Sequence, residues 1–134
     1  MPRGLRDPVR EFIRAFNERD LDGFVAVLDP KVELHSMKGL VKGIEAARKW
    51  ATRAPGGVQQ TIVLERLYED GTAGGDGRVV ALITRQWHWE HNGELASEDE
   101  MAWAFELREG RVRSWRPYED REEALRLADS SHPT

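Results

Sequence analysis

Asn92-Gly93 sits between two long stretches, residues 78–91 and 94–108, in which side chains of opposite character alternate. Asn-Gly is the strongest two-residue hairpin signal, because both positions accept positive φ and the turn then twists with its flanking strands. The chain is therefore expected to contain one long antiparallel ribbon. A lone hairpin is not stable in water, so the ribbon has to bury one face against the rest of the sequence. A type I′ turn here pairs His91 with Glu94, His88 with Ser97, Gln86 with Asp99, Thr84 with Met101 and Leu82 with Trp103. In that register one face carries Val80, Leu82, Thr84, Gln86 and His88 with Leu95, Ser97, Asp99, Met101, Trp103 and Phe105. It is the more apolar face and is expected to be concave. The other face carries Ile83, Arg85, Trp87, Trp89 and His91, with Arg85 opposite Glu100.

Upstream the period is helical. Asp7-Pro8 reads as an N-cap and first helical position. Val9, Phe12, Ile13 and Phe16 then form one apolar stripe. After Asp20, a second short helix carries Leu21, Phe24, Val25 and Leu28 and is stopped by Asp29-Pro30. Residues 32–37 read as a short strand. Gly43 opens a third helix with Ile44, Ala47 and Ala51 on one face, ended by Ala54-Pro55-Gly56-Gly57. Residues 61–69 are a strand, 70–77 a glycine-rich loop, and 111–118 a last strand after a turn at Glu109-Gly110. Asp120 and Glu123 resemble a capping box for a terminal helix over 121–128. Residues 1–6 and 129–134 are expected to be flexible termini.

With 134 residues this is one domain, large enough to bury a core without staples. There is no cysteine, which excludes disulfides, thiolate metal sites and cysteine nucleophiles. The formal charge is −4 with both signs interleaved, unlike a phosphate-binding surface, so no nucleic-acid partner is expected. No apolar run is long enough to span a bilayer and no signal-peptide h-region follows the N-terminus, so no membrane partner and a cytoplasmic location are expected. Gly74-Gly75-Asp76-Gly77 lacks the lysine of a phosphate loop. His88 and His91, three apart on a strand, point to opposite faces and do not make a metal pair. No metal or cofactor is expected.

Helices first and meandering strands afterwards imply α+β architecture, with helices against one face of a curved antiparallel sheet. The order and spacing of Phe12-Ile13, Asp29-Pro30-Lys31-Val32-Glu33, Gly43-Ile44-Glu45-Ala46-Ala47 and Gly110-Arg111-Val112, with Trp115 and Tyr118-Glu119-Asp120, resemble the NTF2-like (cystatin-like) superfamily. Its members include ketosteroid isomerases, SnoaL-like polyketide cyclases and limonene-epoxide hydrolases. The resemblance covers residues 7–128 and implies a cone enclosing one apolar pocket. It also implies a homodimer through the outer sheet face, where Trp87 and Trp89 are expected.

The positions at which isomerases of this superfamily hold a tyrosine, a carboxylate base and a protonated aspartate fall on Phe12, Leu34 and Trp103. None of these can move a proton, so ketosteroid isomerase activity is not expected. The Asp-Arg-Asp set of the epoxide hydrolases has no clear match on the expected inner face. There Phe12, Phe16, Leu34, Thr84, Gln86, Met101 and Trp103 are the expected binding residues for an apolar small molecule. His88 and Asp99, diagonal neighbours in the expected register, are the candidate acid–base pair. Two readings stay open. One is a SnoaL-like isomerase, cyclase or hydrolase acting on an apolar cyclic substrate. The other is a non-catalytic ligand-binding or dimeric interaction domain in which His88 and Asp99 are solvated rim residues.

Overall fold

The change of period near Val58 divides the structure as it divides the sequence. A computed structural model describes residues 6–36, 39–52, 58–71 and 76–129. Its first part holds α1 (Arg6–Glu18), α2 (Leu21–Ala26), β1 (Leu28–Ser36), β2 (Gly39–Lys42) and α3 (Ile44–Thr52). Its second part holds β3 (Val58–Gly71), β4 (Gly77–Trp89), β5 (Leu95–Arg108), β6 (Arg111–Tyr118) and α4 (Arg121–Asp129). Of the expected flexible termini, residues 1–5 and 130–134 lie outside the described residues, as does the expected end of helix three at 54–57.

The helical stripe does what its spacing requires, burying Val9, Phe12 and Ile13 while Arg10 and Glu18 face solvent. Arg19 takes positive φ, and Asp20 then caps α2 by accepting from the Gly23 N–H at 3.0 Å. The second carboxylate oxygen of Asp20 accepts from Arg14 at 2.9 Å. A Cβ on residue 23 would lie 2.5 Å from that oxygen and 2.9 Å from the guanidinium, so only glycine leaves room. Arg14, and then the Gly23 N–H, hold the Asp20 carboxyl below its usual range.

The six strands form one curved sheet in the order β2-β1-β6-β5-β4-β3. All neighbours are antiparallel except β1 and β6, which run parallel. β1 starts earlier than the expected residue 32. It takes in Asp29-Pro30, which falls in the irregular stretch between the Leu28 and Glu33 pairings, where a missing N–H is tolerated. β2 is an additional strand, and β3 runs on through Asp70 and Gly71, expected to be loop. The edge strand β3 is tied to α1 by Asn17. This side chain donates to the Ile62 carbonyl and accepts from the Ile62 N–H, both at 2.8 Å. The exposed edge that would invite foreign pairing is thus partly closed.

Helices α1 to α3 cover the concave face and enclose the main core. α4 covers a smaller apolar island of Val80, Ala102 and Ala124 on the convex face. At the start of α4, Arg121 reaches over β4, donating to the Ile83 carbonyl at 2.8 Å and pairing with Glu65 and Glu100. No helix among the described residues is long and apolar enough to cross a membrane.

Candidate functional site

Which side chains reach the concave face depends on the β4–β5 register, and the turn changes it. Trp89, not His91, pairs with Glu94: the Trp89 N–H donates to the Glu94 carbonyl at 2.9 Å, and Gly93 N–H returns to the Trp89 carbonyl at 2.7 Å. The loop therefore uses four residues, 90–93, with Gly93 at φ 72° and Asn92 Oδ1 accepting the Glu94 N–H. A bulge at Ala96 then takes up one residue, so that Trp87 faces Ser97 after His88 faces Leu95. The result is a net slip of one residue: Gln86 opposes Glu98, Arg85 opposes Asp99, Thr84 opposes Glu100 and Ile83 opposes Met101. A slip of one turns every side chain of a strand to the other face.

The whole β4 half of the expected concave set is affected, and on β5 only Leu95, which the bulge places opposite His88. Met101, Trp103 and Phe105 of β5 do lie in the main core, but their β4 companions are Val79, Ala81 and Ile83, rather than Val80, Leu82 and Thr84. Thr84, Gln86 and His88 point to the convex side. The register therefore does not bring His88 to Asp99. His88 Nδ1 lies 3.1 Å from the Gly93 carbonyl and its Nε2 3.4 Å from Gln86, whose amide donates to Glu98. Asp99 instead accepts from Arg85 at 3.0 Å, so the expected Arg85–Glu100 pairing is replaced. The guanidinium of Arg85 sits 5.2 Å from the Trp87 ring centre. Trp87 and Trp89 share the face of Arg85, the concave side, so an outer-face dimer contact cannot be built on them.

The cone interior brings the other expected binding residues together. Phe12, Leu34, Met101 and Trp103 are each at most 3% exposed, and Phe16 packs on them half-buried. Trp103 is the hub: its ring centre lies 6.1 Å from Phe12, 6.0 Å from Phe16 and 5.2 Å from Trp115, all nearly edge-on. Trp50 of α3, half-buried, joins Phe16 at 5.7 Å and Trp115 at 5.0 Å. Such tilted and edge-on contacts suit the ring quadrupoles and add to the area buried. Among the described residues no polar or charged side chain is fully buried.

Among the described residues, the buried side-chain atoms without a hydrogen-bond partner are Nε of Arg48, Arg85 and Arg121 and the indole nitrogen of Trp115, and Trp115 is the one set within the aromatic cluster. Trp115 is 4% exposed, and its indole N–H has no hydrogen-bond partner. Indole nitrogen only donates. Leaving such a donor buried and unmet costs about 1–3 kcal/mol. In the sequence Trp115 marks only a family-like position; its unmet donor depends on what surrounds it across β1 and α3. Among the described residues no three His, Asp or Glu side chains converge on a metal-sized site.

These features fit a fold whose sequence model, the SnoaL-like domain, matches residues 9–115. The chain belongs to the SnoaL-like domain family. No curated protein matches it significantly in sequence. Among solved structures, an NTF2-like protein of unknown function from Burkholderia pseudomallei superposes with a TM-score of 0.71 at 24% identity, over 92% of this chain and 96% of that one. A polyketide cyclase so described, with reservation, from Sinorhizobium meliloti gives 0.69 at 14% identity, over 83% and 93%. A Mycobacterium tuberculosis protein in complex with estradiol-17β-hemisuccinate gives 0.68 at 16% identity, over 83% and 89%. At these identities the likeness shows the NTF2-like fold alone.

Proposed function

We propose that this SnoaL-like domain is a non-catalytic binder of a flat, apolar small molecule carrying one hydrogen-bond acceptor. The observation that carries this reading is the unmet indole N–H of Trp115 in the wall of an otherwise apolar, aromatic interior. An acceptor on a ligand would meet that donor, and the rings of Trp103, Trp50 and Phe16 would take its faces. Phe16 and Trp50 are the half-buried members of the cluster and therefore the ones able to part for entry. The estradiol ester bound by the Mycobacterium tuberculosis neighbour has this chemistry, a rigid apolar body with oxygen functions.

Catalysis is set aside for a physical reason. His88 and Asp99 lie on opposite faces of β4–β5, and the isomerase positions Phe12, Leu34 and Trp103 carry no transferable proton.

The test is a titration with estradiol, a polycyclic diol, and separately with polycyclic ketones of like shape, followed by tryptophan fluorescence and by melting temperature. A hundredfold excess over the dissociation constant should raise Tm by about 3–6 °C. Trp115→Phe keeps the ring and removes the donor, so it should weaken ketone binding about tenfold while sparing a hydrocarbon analogue. Absence of any shift across the panel would refute the reading. Turnover of a bound ligand that disappears in both His88→Ala and Asp99→Asn would replace it with the enzyme reading.

A further inference from the structure

We infer that the convex face carries a second binding site, for a small organic anion, in a cavity of about 460 Å³ walled by β1, β4, β5 and β6. The site is on the far side of the sheet from the aromatic interior and does not depend on what binds there. Its volume lies in the range of ordinary small-molecule sites.

The alternation of the strands builds it. Ser114, Arg116 and Tyr118 of β6 share one face, opposite Glu106, Ala104 and Ala102 of β5. Arg78 and Val80 of β4 continue that face on one side, and Glu33 and His35 of β1 on the other. Val80 and Ala104 contribute the apolar part of the lining, and the small side chain of Ala104 leaves the hollow open. Arg113 would point inward by simple alternation. It falls instead in the register shift where Glu106 opposes Ser114 and Leu107 opposes Val112, and its side chain joins the cavity wall. Bulges of this kind re-aim single side chains and are common beside binding sites.

The charges point to an anion. Three arginines line the cavity against two glutamates. Glu106 lies 3.9 Å from Arg78, and Glu33 lies 3.9 Å from His35 Nε2. Arg113 donates to the Lys31 carbonyl, and Arg116 meets His35 Nδ1 at 3.3 Å. Both are neutral acceptors. Among the described residues neither guanidinium has a carboxylate within ion-pair reach. Because a guanidinium only donates, Nδ1 accepts and the neutral imidazole carries its proton on Nε2, toward Glu33. His35 thereby steadies Arg116 without neutralising it. Two guanidiniums against the one remaining carboxylate of the lining, Glu33, leave an excess of positive charge, and with the hydroxyls of Ser114 and Tyr118 beside them they suit a carboxylate or phosphate group. The apolar part of the lining suits a short ring or chain attached to it.

The test is calorimetric titration of the full chain with phenyl phosphate and phenylacetate, with neutral phenylacetamide as control. Saturable binding of the anions is expected, with the amide at least tenfold weaker. Arg113→Gln and Arg116→Gln, both at positions open to solvent, should each weaken the anions about tenfold or more. Ala104→Leu should remove binding by filling the hollow, while Arg10→Gln on α1 should leave it unchanged. No binding up to about 10 mM, a range that already corresponds to negligible affinity, would overturn the proposal. So would equal binding of the amide, or an equal loss in Arg10→Gln, which would mark diffuse attraction. A chain that binds no anion but forms a dimer broken by Arg116→Gln would overturn it in favour of a second copy.

Discussion

The two faces of the sheet solve opposite problems, and β5 shows how. Along Met101-Ala102-Trp103-Ala104-Phe105 large and small side chains alternate. The large ones fill the cone, where Phe12, Phe24, Phe105 and Trp103 meet ring against ring and no charged side chain among the described residues is fully buried. The alanines face outward, where one lets α4 approach and the other leaves a hollow rimmed by arginine, histidine and glutamate. Apolar packing and charge recognition are thereby divided between two sides of one strand. The two proposed sites follow this division, the concave one relying on shape and the Trp115 donor, the convex one on charge.

The sharpest way to break this contrast is to change side-chain volume on each side. Phe12→Ala should destabilise the domain by about 3–5 kcal/mol in urea unfolding, since it opens a cavity among the rings of Phe24, Trp103 and Phe105. Ala104→Leu, which adds volume to an open hollow, should change stability by no more than about 1 kcal/mol. If the two were comparable, the faces would be equally packed and the contrast would fall.

A second test concerns how the helix layer is fastened to the concave side. Asn17→Ala removes both side-chain bonds to the Ile62 backbone and should cost about 1–3 kcal/mol. Hydrogen exchange at Ile62 should accelerate well before global unfolding; exchange unchanged there would show that packing alone holds α1 to β3.

Trp115→Phe sharpens the concave reading further. It removes an unmet donor, so the empty protein should lose no more than about 1 kcal/mol and is expected to gain some stability. A large loss would mean that the N–H has a partner and would weaken the ligand proposal with it.

The smallest effect concerns pH. The folded pKa of Asp20 is depressed, so its contribution is present above the ordinary carboxylate pKa of about 3.9 and fades as pH falls through the lower folded value. Asp20→Asn should therefore flatten the acid limb of the stability curve below about pH 4 and leave its shape near neutrality unchanged. An acid limb identical in both proteins would remove Asp20 from the account.

Much of the fold was legible because its signals are local. Helical spacing placed α1, α3 and α4, and the two-residue turn at Glu109-Gly110 forms as expected, with φ of 52° and 77° between Arg108 and Arg111. The stronger-looking signal, Asn92-Gly93, forms a wider loop. The candidate site suffered in proportion: helical spacing puts Phe12 and Phe16, β5 alternation Met101 and Trp103, and the family resemblance Leu34 on the inner face, where all five lie. Thr84, Gln86 and His88 were assigned there through a register that does not form. Arg113, Arg116 and His35 were not singled out, because their convergence depends on a bulge and on a parallel β1–β6 pairing that span the length of the chain.

By itself, then, the sequence determined the elements other than β2, their order and the content of each face of β5 from Ser97 onward. It did not determine which face of β4 meets them. Val79 to Ile83 is apolar at every position, so alternation has no phase to read there. Only the tertiary structure decides it: α4 buries Val80 beneath Ala124, with Leu82 packed beside them, which frees Ala81 and Ile83 to join Met101 and Trp103 inside the cone. A strand apolar on both faces takes its register from whatever covers each face, and here that cover comes from the two ends of the chain.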